Sequence, residues 1–246
     1  EELGLPVDAV RVVLGDSLST PFGPGSGGSV TLPSTTPAVR NAARDALRQI
    51  LGLAATLLGL PEAAADAMVV RAGEIIYQPN ASQRIAWRQV AARMGNYTII
   101  GQGARGPNPD AQAINTFGAQ FCEVDVNVET GQVRVNKVVA AHEVGRIVNP
   151  LTATSQVVGG VIMGLGYALS EQRILDGRTG LQLTANLEDY KVPTQADLPE
   201  IEVAFVDLPD PAANSVGSKG LGEPPIIPIA AAVANAVADA IGVRPT

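Results

Sequence analysis

Three short segments carry residue types that can do chemistry. In Ser26-Gly27-Gly28-Ser29, consecutive small residues let backbone N–H groups converge on an anion or an oxo group, and two hydroxyls add hydrogen bonds. A flexible surface loop is the other reading. Without a Gly-Lys-Ser/Thr ending, the segment is not a nucleotide-triphosphate loop. The second segment runs from Asn149 through Ser155, Gln156, Gly159 and Gly160 to Gly164 and Gly166. Thr154 or Ser155 is placed to cap a helix, with Gln156 in its first turn beside unpaired amides. Each glycine costs about 1 kcal/mol relative to Ala inside a helix. Four of them imply that something bulky packs on the bare backbone, either a second helix or a planar cofactor. The third segment, Gly217-Ser218-Lys219-Gly220-Leu221-Gly222-Glu223-Pro224-Pro225, leads into an apolar helix and sets Glu223 at its N-terminus with little water nearby. Burial there disfavours a charged carboxylate, while the helix dipole and nearby amides favour it. A carboxylate in that balance can act as a general base. A plain helix-start glutamate, with Lys219 as a solvated cation, is the alternative.

His142 is the single histidine and Cys122 the single cysteine. That excludes an intrachain disulfide, a Cys-rich zinc site, a multi-His metal site and any iron–sulfur cluster owned wholly by this chain. A metal has to bring its own organic ligands or come with another subunit. His142, at a strand end before Glu143, is either a base or a packed, hydrogen-bonding residue. Cys122, in mid-strand, reads as inert core.

The elements that position these residues follow from periodicity. Residues 9–15 suggest a short strand. Val39, Ala42, Ala43, Ala46, Leu47, Ile50, Leu51, Ala54, Leu57 and Leu58 recur at helical spacing behind Pro37, with Gly59 and Pro61 as the stop. Residues 73–78 read as a strand, Ser82 to Met94 as a capped helix and Tyr97–Gly101 as strand-like. Alternation over 119–142 around Glu129-Thr130-Gly131 predicts a hairpin. A helix from about Ala153 to Glu171, a Gly-bearing turn at 176–180, strands at 182–191 and 200–207, and a buried helix from about Pro225 to Ile241 complete the reading. Helices and hairpins mix irregularly, which predicts an α+β fold.

The 246 residues are 46% hydrophobic but only 4% aromatic, so Ala, Val, Leu and Ile must fill the core. With 17 Lys plus Arg against 24 Asp plus Glu, the net charge is −7, which argues against nucleic-acid binding. Asn235 and Asp239 interrupt the apolar run 226–243, which falls short of the roughly 20 residues of a membrane span. The chain opens on Glu1-Glu2-Leu3-Gly4 and closes on Val243-Arg244-Pro245-Thr246, which reads as a processed or excised piece of a larger protein.

In this order and spacing, the segments above together with Glu123-Val124-Asp125-Val126, Gly145-Arg146-Ile147-Val148-Asn149-Pro150 and Asp189-Tyr190-Lys191-Val192-Pro193 resemble the xanthine dehydrogenase/aldehyde oxidoreductase family. The likeness is to the C-terminal part of its molybdenum-binding subunit and covers essentially all of 1–246. It implies an α+β molybdopterin-binding region of mixed sheets and packed helices, with room for two subdomains at about 1–118 and 119–246. It also implies a molybdopterin cofactor, usually the cytosine dinucleotide form in bacterial members. The cofactor's sulfurs hold molybdenum, so no side chain of this chain ligates the metal and only the Gly28 backbone comes near it. By the resemblance, Glu223 is the catalytic glutamate. Gly27, Gly28 and Ser29 form the loop over the metal, and Ser155, Gln156, Lys219, Gly220 and Gly222 contact the cofactor.

The implied reaction hydroxylates an aldehyde or N-heterocycle carbon with oxygen from water. The glutamate takes a proton from the attacking oxygen, and two electrons leave through [2Fe-2S] and FAD centres on partner subunits. The upstream half of the subunit is absent, which implies that this piece alone is inactive. Alternatives are an assembly subunit without metal, or a relative acting on CO or a CoA thioester. The implied location is the cytoplasm, or the periplasm by co-export with a partner. Gly27-Gly28 replaces the Ala-Ala of some relatives, and His142-Glu143 stands where many members have an Asp-containing sequence.

Overall fold

A computed structural model describes residues 1–23 and 25–244. Pro24, in the first loop, and Pro245 and Thr246, at the chain's close, lie outside the described residues. The chain forms two units: residues 1–25 with 34–107, and residues 26–33 with 108–246. The division falls at Pro107 rather than near 118, and the loop at 26–33 belongs with the C-terminal unit.

In the N-terminal unit, the predicted long helix forms as α1, Thr36–Leu57, with Pro37 in its first turn. It is followed by β1 (Met68–Arg71), β2 (Glu74–Tyr77), β3 (Arg84–Ala86) and α2 (Trp87–Arg93). The three strands make an antiparallel sheet in the order β1-β2-β3. Leu51, Ala54 and Ala55 of α1 share a core with Met68, Ile75 and Val90. Three expectations fail here. Residues 9–15 form no strand, because no neighbouring strand pairs with them; Val12 and Leu14 are exposed. The expected helix from Ser82 begins only at Trp87, since Arg84–Ala86 is drawn into the sheet by β2 and the Ser82 hydroxyl bonds Asn80 instead. Tyr97–Gly101 is not a strand. α1 side chains hold it and the residue after it instead: Gln49 donates to the Ile100 carbonyl at 3.1 Å, and Asp45 accepts from the N–H of the following Gln102 at 3.0 Å.

The C-terminal unit is built on β4 (Phe117–Val126), β5 (Val133–Glu143) and β6 (Glu200–Phe205), with α3 (Pro150–Leu169) and α4 (Ile229–Ile241). β4 and β5 are the predicted hairpin, with a bulge at Glu123/Val124, and β6 joins β5 in parallel. The sheet is therefore mixed, one antiparallel and one parallel pairing, in keeping with the predicted α+β fold of mixed sheets. Val138 and Ala140 of β5, Val157, Val161 and Leu165 of α3, and Ile229, Val233 and Val237 of α4 form its almost purely aliphatic core. Residues 182–191 are not a strand: Asn186 Oδ1 accepts from the amides of Glu188 and Asp189 at 2.8 and 3.1 Å, and this local turn outcompetes a ladder. α4 is not buried on all sides; it buries Ile229, Ala232, Val233 and Val237, while its other residues are half-buried or exposed. By length and composition alone, α3 and Pro224–Ile241 are long and apolar enough to cross a membrane. Each turns its longest-buried face onto the aliphatic core just described.

Candidate active site

The helix that follows Asn149 begins earlier than the sequence suggests. Asn149 Oδ1 accepts from Thr152 N–H at 3.2 Å and is the cap. Pro150 fills the first position, so Ser155 and Gln156 lie in the second turn, exposed, rather than at the helix start. Three of the four glycines can be read from what a side chain there would meet. A Cβ at Gly160 would stand 2.6 Å from Pro225 Cβ, and one at Gly164 only 1.5 Å from Ile229 Cγ2. The partner there is ordinary helix packing against α4 and the turn before it, not a planar cofactor. Gly159 faces open space.

The Gly-Ser loop meets the last segment. Gly28 (φ 71°) and Ser29 (φ 57°) are both left-handed, a conformation that costs a serine of order 1–3 kcal/mol unless its surroundings hold it. Glu223 holds it. The Ser29 hydroxyl donates to Glu223 Oε2 at 3.1 Å and accepts from Glu223 N–H at 2.8 Å, while Gly28 N–H reaches Glu223 Oε1 at 3.3 Å. The approach depends on missing side chains: a Cβ at Gly220 would lie 2.8 Å from Ser29 Cβ and carbonyl O. At Gly222 it would lie 3.3 Å from Ser29 Oγ and 3.7 Å from Gln156 Oε1. Gly28, Ser29, Gln156, Gly220, Gly222 and Glu223 thus come together. Gly27 is exposed beside them, and Ser155 makes no contact with this cluster among the bonds of the described residues.

Two expectations about the last segment are corrected. Glu223 is exposed rather than dry, and it heads a three-residue 3-10 turn, Pro224–Ile226, instead of α4 itself. Two prolines in succession and a third at Pro228 delay the α-helix to Ile229. Lys219 is neither a solvated cation nor open to a ligand. It is 8% exposed, and its ammonium donates to Glu143 Oε2 at 2.6 Å and the Asn115 carbonyl at 3.0 Å, with Asp210 at 3.6 Å. Together with Lys219 N–H to Val144 O at 2.7 Å, this pins the segment to the end of β5.

His142 is 1% exposed, so it is not an accessible base. Burial holds its pKa below the ordinary histidine value and keeps the ring neutral. Burial likewise pushes the Cys122 thiol up to about 11, an inert thiol at neutral pH. Sequence reasoning missed Gln120, whose Nε2 donates to the Pro225 carbonyl at 2.8 Å. The available signal was a polar residue on the inward register of β4, in step with Cys122, Val124 and Val126. A separate cleft of about 910 Å³ between Gln132–Asn136, the end of α3 and residues 191–200 shares no residue with the Glu223 cluster.

Among the described residues, no group of three His, Cys, Asp or Glu side chains is placed to hold a metal. Around Glu223 stand the Gly28 amide, the Ser29 hydroxyl and the Gln156 carboxamide, beside the bare backbone of Gly220 and Gly222. That donor set fits a group that arrives with its metal already ligated.

Comparison with known proteins gives the same direction. Residues 1–199 match the molybdopterin cofactor-binding domain. The chain is 36% identical, over 99% of its length, to the putative xanthine dehydrogenase molybdenum-binding subunit of Escherichia coli K12, covering 32% of that protein. It is equally 36% identical to the aldehyde oxidoreductase molybdenum-binding subunit of the same organism, over 99% of the chain and 32% of the relative. Among solved structures, carbon monoxide dehydrogenase from Oligotropha carboxidovorans superposes with a TM-score of 0.83 at 25% identity, over 98% of this chain and 30% of that one. The chain spans about a third of the length of the curated relatives it matches.

Proposed function

The chain belongs to the molybdenum hydroxylase family, and from that membership we propose that it is the C-terminal, catalytic-glutamate part of a molybdenum-binding subunit that hydroxylates an aldehyde or N-heterocycle carbon. One observation carries the reading: Gly28 N–H and the Ser29 hydroxyl engage the two oxygens of Glu223 from 195 and 194 residues away, yet leave the carboxylate exposed. A side chain held by two donors at an open face is oriented without being used up. Its remaining lone pairs can accept a proton from an attacking water oxygen.

In this proposal, Gly27, Gly28, Ser29, Ser155, Gln156, Gly220 and Gly222 face a molybdopterin, in its cytosine dinucleotide form. When bound, the cofactor supplies a two-electron acceptor for the hydrogen leaving the substrate carbon. Gly220 and Gly222 keep the floor low, Ser29 and Gly28 orient the base, and Gln156 offers a carboxamide to the cofactor's polar edge. Lys219, with its ammonium already engaged, serves as an anchor instead of a ligand. Electrons pass to partner subunits carrying [2Fe-2S] clusters and FAD, and the rest of the subunit completes the substrate pocket, so this chain alone is inactive. Identity to the xanthine and aldehyde subunits, higher than to carbon monoxide dehydrogenase, favours the carbon hydroxylation over CO or a CoA thioester.

The test is Glu223→Gln in the assembled complex. Molybdenum stays at the wild-type ratio while turnover falls by about 10²–10⁴, the span of a lost general base. Near-normal turnover with full metal removes Glu223 as the base, and a wild-type complex without stoichiometric molybdenum leaves only an assembly role.

A further inference from the structure

We propose that Gln120, braced by His142, positions Glu223 by gripping the Pro225 carbonyl two residues beyond it. This rests on Glu223 being the base. The turn after Glu223 runs out of its own donors: Ile226 N–H bonds the Glu223 carbonyl at 3.2 Å and Ile227 N–H the Pro224 carbonyl at 3.3 Å. The next residue in that series, Pro228, has no N–H to give Pro225. Pro225 is fully buried, so its carbonyl needs a partner from elsewhere, and β4 supplies Gln120 Nε2 at 2.8 Å.

The chemistry fixes which way round the carboxamide sits. A carbonyl only accepts, so the NH₂ end must face Pro225. The same nitrogen lies 3.3 Å from His142 Nε2, which can accept its second N–H only in a neutral ring with the proton on Nδ1. The ring is seated against bare backbone, since a Cβ at Gly118 would come within 2.6 Å of Nδ1. Gly118 and His142 stand directly opposite in the β4–β5 ladder.

The arrangement leaves Gln120 Oε1 and His142 Nδ1 buried without partners. A sheet interior does not normally carry that cost, and folds tolerate such local conflicts mostly at functional sites. Successive strand residues point to opposite faces, so β5 ends in two grips on one segment: His142 through Gln120 on Pro225, and Glu143 on Lys219 at 2.6 Å. Glu223 lies between the two held points.

Gln120→Met keeps the side-chain volume and deletes the donor. In the assembled complex it lowers kcat about 10- to 100-fold, leaves KM within about threefold and retains molybdenum. Amide hydrogen exchange of Ile226 and Ile227 speeds up in the same complex. His142→Gln, which can offer an acceptor near Nε2, retains most of the activity, whereas His142→Leu matches Gln120→Met. On a Glu223→Gln background, Gln120→Met has no further effect on the residual rate.

Wild-type kcat in Gln120→Met with Glu223→Gln inactive overturns the clamp and spares the base. Full activity in Glu223→Gln removes the base itself. Should Gln120→Met fail to assemble, the histidine pair decides: equal rates for His142→Gln and His142→Leu overturn the proposal.

Discussion

Gly220→Ala separates a site built on close backbone approach from one that merely contains glycines. The introduced Cβ stands 2.8 Å from both the Cβ and the carbonyl oxygen of Ser29, where ordinary carbon contacts lie at about 3.5–4.0 Å. Backbone cannot rotate away as a side-chain tip can, so Ser29 has to retreat by about 0.7 Å or more. A retreat of that size along the bonds stretches the Ser29–Glu223 contacts from 3.1 and 2.8 Å to about 3.8 and 3.5 Å, beyond ordinary hydrogen-bonding length.

A hydrogen bond to a charged group contributes about 1.5–3 kcal/mol. Glu223 is exposed, so the lower end applies, which is about tenfold in rate. If Glu223 is the base proposed above, misplacing it adds to that, and kcat falls by about 10- to 100-fold in total. Gly222→Ala meets Ser29 Oγ at 3.3 Å and needs a shift of a few tenths of an ångström, about threefold or less in rate. Gly177→Ala, with nothing within 4 Å and no part in the site, leaves the rate unchanged. Alanine is conformationally free at all three, since none has a left-handed φ. Steady-state kinetics and molybdenum content of the assembled complex read the series. If Gly220→Ala turns over like Gly177→Ala with full metal, or if Gly222→Ala is the worse of the two, the close-approach argument is wrong.

Two further outcomes follow from buried contacts away from the carboxylate. Gly164→Ala drives a Cβ to 1.5 Å from Ile229 Cγ2; the overpacking costs about 1–3 kcal/mol against about 1 kcal/mol gained in helix propensity. Denaturant melts show a net loss that Ile229→Ala partly relieves in the double variant, and strict additivity of the two would refute helix packing as the reason for this glycine. His142 is held neutral by burial, its pKa lowered from 6.5. Its contribution is therefore fully present above pH 6.5 and is lost as pH falls through the lowered value, because the unfolded state binds the proton first. His142→Gln should show a shallower loss of thermal midpoint between pH 7 and pH 5 than wild type; parallel curves would show that this ring is not what titrates.

How much of this was legible before the structure depends on the range of the force that decides each element. α1, the β4–β5 hairpin, α3 and β6 are written in local periodicity and turn chemistry, and they form close to where the pattern places them. Residues 9–15, 97–101 and 182–191 carry the same β-like composition and fail. A strand exists only if another strand pairs with it, and around 97–102 α1 side chains take the Ile100 carbonyl and the Gln102 N–H instead. The three small-residue segments were readable one at a time as runs of Gly and Ser. That the first lies on the third, with Gly28 and Ser29 on Glu223, is a tertiary fact with no local signature. The burial expected for Glu223 failed for a local reason in plain view: Pro224, Pro225 and Pro228 postpone α4, so the glutamate heads a loose turn and not a helix.

The same prolines explain why the site needs support from behind. A glutamate on a regular helix N-terminus inherits its geometry from the helix. One on a short proline-rich turn inherits little, because Pro228 cannot continue the hydrogen-bond series. The missing constraint has to come from outside the turn, and the residues around it sort accordingly. Gln120, His142, Glu143 and Lys219 are buried or half-buried and act on the backbone on either side of Glu223. Gly27, Gly28, Gln156 and Glu223 are exposed on the side a ligand can reach. Changes in the rear group should therefore alter the rate at constant molybdenum, and changes at Gly27 or Gln156 should alter molybdenum retention first. That separation is what the proposed role of Glu223 requires, a base oriented by its own chain next to a metal ligated by its cofactor.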